Sequence, residues 1–125
     1  MCEHETLTLP TDSHIRVGGA KGGDLSLATY PKGSGTIQYH CKATSMLMHL
    51  TPGSTACIEI AWLWTADHDL NQEDLDQINI YPARGLSIES ETAWFWGTSV
   101  EHNVLYQYQI SNAETAVMTQ TESLV

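Results

Sequence analysis

Thr55-Ala56-Cys57-Ile58-Glu59-Ile60-Ala61-Trp62-Leu63-Trp64-Thr65-Ala66 is the stretch that decides the fold. Read as one strand, it sets Ile58, Ile60, Trp62 and Trp64 on one face and Glu59, Ala61 and Leu63 on the other. Apolar side chains on both faces indicate a strand covered on both sides, as in parallel sheets. An antiparallel strand with one wet face would alternate more cleanly.

Working outward, short β-type runs separated by turn signals fill the rest of the chain. Upstream lie 14–17, 25–29, 36–41 and 45–51; downstream lie 77–81, 86–90, 93–100, 104–111 and 116–122. Only 67–76 suits a short helix or an acidic loop, so the helical crossovers of βαβ units are missing. Two-residue Asn-Gly or Asp-Gly hairpin turns are missing too. The pattern predicts an all-β, single-domain solenoid whose coils stack in register. Residues 1–12 form a loose N-terminal arm and 13–125 the stacked module. The glycine-rich segment 18–23 lacks the G-K-[ST] ending of a phosphate loop and is expected to be a turn.

The net charge of -10 excludes several functions. Residues up to Lys42 balance, and all of the excess acid lies beyond it, where Arg84 is the single base. Such a surface repels phosphate backbones and anionic lipid, which argues against nucleic-acid and membrane partners. Residues 1–10 carry neither a basic start nor an apolar run, so a cytoplasmic location is expected. Cys2, Cys41 and Cys57 have no metal-site spacing; buried free thiols are the simplest expectation, with a Cys41–Cys57 bridge as the alternative. No cofactor or metal site is expected.

Several ordered motifs carry a resemblance to a known family. They are Ala61-Trp62-Leu63-Trp64-Thr65-Ala66-Asp67-His68-Asp69, Gly97-Thr98-Ser99-Val100-Glu101-His102-Asn103-Val104-Leu105-Tyr106-Gln107-Tyr108, and Gln120-Thr121-Glu122. His14-Ile15-Arg16-Val17-Gly18-Gly19 and Met46-Leu47-Met48-His49-Leu50-Thr51-Pro52 precede them in matching order. Together they resemble one module of the fungal exo-β-1,3-glucanases of glycoside hydrolase family 55. The resemblance implies a right-handed parallel β-helix and inverting release of glucose from β-1,3-glucan. It places the acid catalyst at Glu122 and a second catalytic carboxylate at Glu101, because inversion needs one protonated carboxyl and an activated water opposite it.

Other side chains are candidates for substrate binding. Trp62 with Trp64, and Trp94 with Trp96, each set two indoles on one strand face. Tyr106, Tyr108, Gln107 and His102 are further candidates, although an inward Gln107 would instead serve a structural amide network. Asp67-His68-Asp69 spreads its ligating groups over both strand faces and is expected to be turn chemistry rather than a metal site. His40 and His49 suit core positions.

The resembled family is secreted and has a second module; here Ser123-Leu124-Val125 stands where it carries a tyrosine-rich segment. Those departures favour a repurposed enzyme, acting without cofactor on a small apolar metabolite by isomerisation or cyclisation. The alternatives are an exo-β-1,3-glucan hydrolase or glucan-binding fragment, and a non-catalytic pseudo-enzyme. A half-length solenoid also suggests homodimerisation through its end coils.

Overall fold

The computed structural model of the protein describes residues 7–8, 12–19, 25–32, 37–69, 77–119 and 122–124, the first and last of these through the backbone. Among these described residues eleven strands appear in chain order. They are β1 Leu7–Thr8, β2 Ser13–Val17, β3 Met48–Leu50, β4 Thr55–Glu59, β5 Ala61–Thr65, β6 Arg84–Ile88, β7 Thr92–Trp96, β8 Ser99–Glu101, β9 Tyr106–Ile110, β10 Thr115–Thr119 and β11 Glu122–Leu124. No α-helix occurs among the described residues; Tyr39–Cys41 form a single 3-10 turn.

These strands build three sheets, ordered β1-β4-β7-β10, β11-β8-β5-β2 and β3-β6-β9. Every strand pair is parallel. From β3 onward the chain visits the third, first and second sheets in turn, so each strand pairs with those three places before and after it. Thr55, Thr92 and Thr115 stack in one row, and Trp62 stacks on Ser99. The all-β, parallel expectation is met.

The core lies between the three sheets. Ile58 of β4, Leu63 of β5, Leu86 and Ile88 of β6, Phe95 of β7 and Val100 of β8 form one buried cluster. Each such side chain taken from water stabilises the fold by roughly 1.5–3 kcal/mol. A second cluster of Tyr30, Cys41, Ala66, Ile78 and Ile80 packs beside it. Gly19 is required there, because a Cβ at that position would collide with the Tyr30 ring and the His40 carbonyl.

The stretch 55–66 is not one strand. Ile60 adopts φ 49°, in the left-handed region, and divides it into β4 and β5. That one-residue corner carries the chain from the first sheet to the second and shifts the in-out alternation. Ile58 and Leu63 therefore both point inward, while Trp62 and Trp64 are only half-buried. The run 93–100 divides in the same way at Gly97, with φ 63°.

Other expected strands also differ. Segment 25–29 is a turn, closed by the Thr29 and Tyr30 amides donating to the Ser26 carbonyl. Segment 77–81 contributes only single bridges, Gln77 to His68 and Tyr81 to Lys42. Leu7–Thr8, within the stretch read as a loose arm, pair with Ala56 and Cys57. Residues 70–76 and 20–24, in the expected acidic segment and glycine-rich turn, lie outside the described residues. The expectation of free thiols holds for buried Cys41 but not for Cys57, which is disulfide-bonded. Its bond is not to Cys41, so that alternative falls as well.

Candidate functional site

The outer face of the second sheet gathers the most chemistry. Period-two alternation sends Leu63 and Val100 into the core, which leaves Trp62 and Trp64 of β5 and Ser99 and Glu101 of β8 on the opposite face. On β2, His14 pairs with Trp62 and Arg16 with Trp64. At the other edge the backbone of Glu122 pairs with Ser99. One row of the sheet thus runs His14, Trp62, Ser99, Glu122.

The aromatic side chains on this face are held in fixed contacts. The Trp62 and Trp64 rings stack with centroids 4.5 Å apart and planes 16° from parallel. His14 meets Trp62 edge-on at 5.3 Å. The Arg16 guanidinium lies 4.7 Å from the Trp64 ring centroid, a cation–π contact, and its Nη2 donates to the His68 carbonyl at 3.3 Å. Burial lowers the Arg16 pKa, and the charge of Asp67 opposes that fall.

Beside the indoles runs an open groove of about 430 Å³, lined by His14, Trp62, Ser99 and Glu101 with Ile60, Ala61 and Gly97 completing its wall. Glu101 is only 6% exposed. The Ser99 hydroxyl donates to its Oε1 at 2.5 Å, and its Oε2 lies 3.9 Å from His102 Nε2. Behind it, Asp67 sits between two imidazoles: Oδ1 is 2.5 Å from His68 Nδ1 and Oδ2 is 3.3 Å from His102 Nε2. Among the described residues no three ligating side chains come together to hold a metal.

The residues singled out from sequence are distributed over all three sheets. Trp62, Trp64 and Glu101 share the second sheet, Glu122 registers on it, and His102 follows β8 directly. Trp94 and Trp96 stand on the first sheet, 50% and 57% exposed. Tyr106, Gln107 and Tyr108 belong to the third sheet. Gln107 is buried and bonded to Asn103: its Oε1 accepts from Asn103 N and Nδ2 at 3.0 and 2.7 Å, and its Nε2 donates to Asn103 O at 3.0 Å. The Tyr108 hydroxyl donates to the Thr98 carbonyl at 2.9 Å. His49 faces outward and pairs with Glu89 at 3.1 Å rather than joining the core.

His14, Arg16, Ser99 and Asp67 were not picked out as site residues. The available signal was parity: once Ile60 and Gly97 are corners, residues 14, 62 and 99 fall in one row.

Known proteins resemble this chain over most of its length. No family model matches the chain. A glucan 1,3-beta-glucosidase of Cochliobolus carbonum is 41% identical over 104 residues, 82% of this chain and 13% of that protein. A probable glucan endo-1,3-beta-glucosidase of Arthroderma benhamiae is 45% identical over 118 residues, 90% of this chain and 13% of that protein. A non-secreted LysM effector, LysM15 of Penicillium expansum, is 51% identical over 115 residues, 90% of this chain and 8% of that protein. The chain is thus glucanase-like over most of its length, while spanning only about a tenth of the length of these relatives.

These relationships overturn the expectation of an isomerase or cyclase working on a small apolar metabolite. The groove agrees with the correction, since it is open and mixes an indole with a carboxylate, a hydroxyl and an imidazole. A compact apolar substrate calls for an enclosed apolar pocket.

Proposed function

We propose that this chain is a β-1,3-glucan-binding module of glycoside hydrolase type. In this reading it is a short right-handed parallel β-helix related to glycoside hydrolase family 55, with its groove on the second sheet. Three all-parallel sheets visited in rotation support the fold, and the glucosidase relatives support the ligand class. The observation that carries the reading is the Trp62 indole beside the nearly buried, Ser99-bonded Glu101 in one groove.

The chemistry follows from those groups. β-Glucose exposes axial C–H bonds on its ring faces and hydroxyls around its rim. An indole takes the face, while His14, Ser99 and Glu101 take rim hydroxyls. In the inverting chemistry that the family resemblance implies, Glu122 is the acid that protonates the departing glycosidic oxygen, while a water adds to the anomeric carbon from the opposite face with Glu101 as the second carboxyl of the pair. The backbone of Glu122 registers on Ser99, two residues before Glu101 on the adjacent strand, which supports that assignment. His102 and Asp67 back Glu101 on the side away from Ser99.

The test is binding and glucose release with β-1,3-linked glucose oligomers, comparing the protein with Trp62→Ala, Glu101→Gln and Glu122→Gln. Binding that falls about tenfold in Trp62→Ala, one indole contact's worth, is the expected result. Glucose release that disappears in Glu122→Gln would assign hydrolysis to this chain. Binding without release would assign a binding module. No binding by the unaltered protein would overturn the proposal.

A further inference from the structure

Trp94 and Trp96 are left out of the groove, yet they stand at its border. Both lie on β7 of the first sheet, outward and about half exposed, where pairing places them beside Cys57 and Val117, and beside Glu59 and Thr119. Two residues apart on one strand, their Cα atoms are separated by roughly 6.7 Å. A second, smaller and more enclosed groove of about 190 Å³ runs along them, with Glu59 in its wall and the Thr119 hydroxyl buried beneath it. Two residues, Gly97 and Thr98, separate Trp96 from the β8 strand that carries Ser99 and Glu101. On the neighbouring coil, Ile60 alone separates Glu59 from β5 and Trp62. Gly97 and Ile60 line the first groove, and Ile60 N donates to the Trp96 carbonyl at 2.7 Å. The two grooves therefore lie on either side of a single corner.

Resting on the glucan reading above, we infer that the Trp94–Trp96 face is a remote subsite of the same site, holding distal sugar units of a β-1,3-glucan that bends over the Ile60–Gly97 corner. The adjacency of the two grooves across that corner carries this assignment, together with the repeated placing of an indole beside a carboxylate. A 1,3-linked pyranose chain curves, because its linkages do not lie across the long axis of the ring, so it can follow a bent surface. The ligand is neutral, so the acidic surface of the protein does not repel it.

The discriminating variable is chain length. Binding of a β-1,3-linked glucose trimer and hexamer is measured for the protein, for Trp94→Ala/Trp96→Ala, and for Trp94→Phe/Trp96→Phe, with thermal melting to confirm folding. The alanine pair is expected to weaken hexamer binding about fivefold to tenfold, to leave trimer binding unchanged, and to be largely rescued by phenylalanine. Equal loss for both oligomers, or loss for neither, overturns the remote subsite. So does unchanged hexamer binding with an altered sedimentation coefficient, which would mark the face as a protein contact. If the unaltered protein binds neither oligomer, the glucan reading itself fails; if it binds both and only the length dependence is missing, the failure belongs to this inference alone.

Discussion

At the scale of single residues, burial and hydrogen bonding decide what each side chain is free to do. Gln107 illustrates one outcome: its amide is committed to Asn103, and any substrate role would have to break that buried network. Glu101 illustrates the other, a nearly buried carboxylate supported by one hydroxyl and close to one imidazole. Cys41 yields a prediction. Burial raises its thiol pKa, so folding favours the neutral form. The stabilisation is complete below the thiol's ordinary pKa of about 9 and is lost as pH rises through the folded-state value. Denaturant melts from neutral to strongly alkaline pH should show that loss in the protein and a shallower one in Cys41→Ala. Maleimide labelling followed by peptide mapping should modify Cys41 only after denaturation, and should leave Cys57 unmodified until a reductant is added. Labelling of Cys57 without reductant would remove the disulfide from the account. The buried free thiol of Cys41 was the sequence expectation, whereas the bond of Cys57 was not legible, since three cysteines without a spacing pattern leave every pairing open.

At the scale of elements, the corners between strands matter most. A β-branched residue with positive φ is a conformational outlier, and Ile60 is held there by hydrogen bonds to both neighbouring coils. The left-handed conformation costs roughly 1–2 kcal/mol for a residue carrying a Cβ. Ile60→Asn is therefore expected to be neutral or to stabilise by up to about 1 kcal/mol, because asparagine tolerates this region. Gly97→Ala is expected to cost about 1 kcal/mol by the same argument. Space is not the reason, since an added Cβ at Gly97 would meet nothing closer than 3.8 Å. Thermal denaturation of the two variants checks the pair; a clear loss of stability in Ile60→Asn would show that its side-chain contacts, and not the backbone, hold the corner. The strands themselves were largely readable from alternation. Segment 25–29 was not, because its alternation resembles a strand while Tyr30 is drawn into the second cluster and closes a turn.

For the whole molecule, the pairing pattern sets the folding problem. Thr55 must find Thr92, and Thr92 must find Thr115, before either row of the first sheet exists. Contacts so distant in sequence must overcome loop-closure entropy first. Refolding followed by tryptophan fluorescence should accordingly take milliseconds to seconds, in the range of non-local β proteins. A submillisecond main phase would show that local structure dominates instead. Function at this scale depends on which sheet faces adjoin. The second sheet unites Trp62, Trp64 and Glu101 and receives Glu122, whereas Tyr106 and Tyr108 belong to the third.

The amino-acid sequence alone determined the all-β class, the parallel pairing and the two tryptophan pairs. The class and the tryptophan pairs follow from local alternation; the apolar run that pointed to parallel pairing is two strands, each turning one face to the core. Which side chains share a surface was decided only in three dimensions. A single left-handed residue at 60 reverses inside and outside for the rest of the run to Ala66, and little in its local chemistry announces the turn. Hydrogen bonds from adjacent coils impose it: Ser13 N to Ile60 O, Ile60 N to Trp96 O and Gly97 N to Thr119 O.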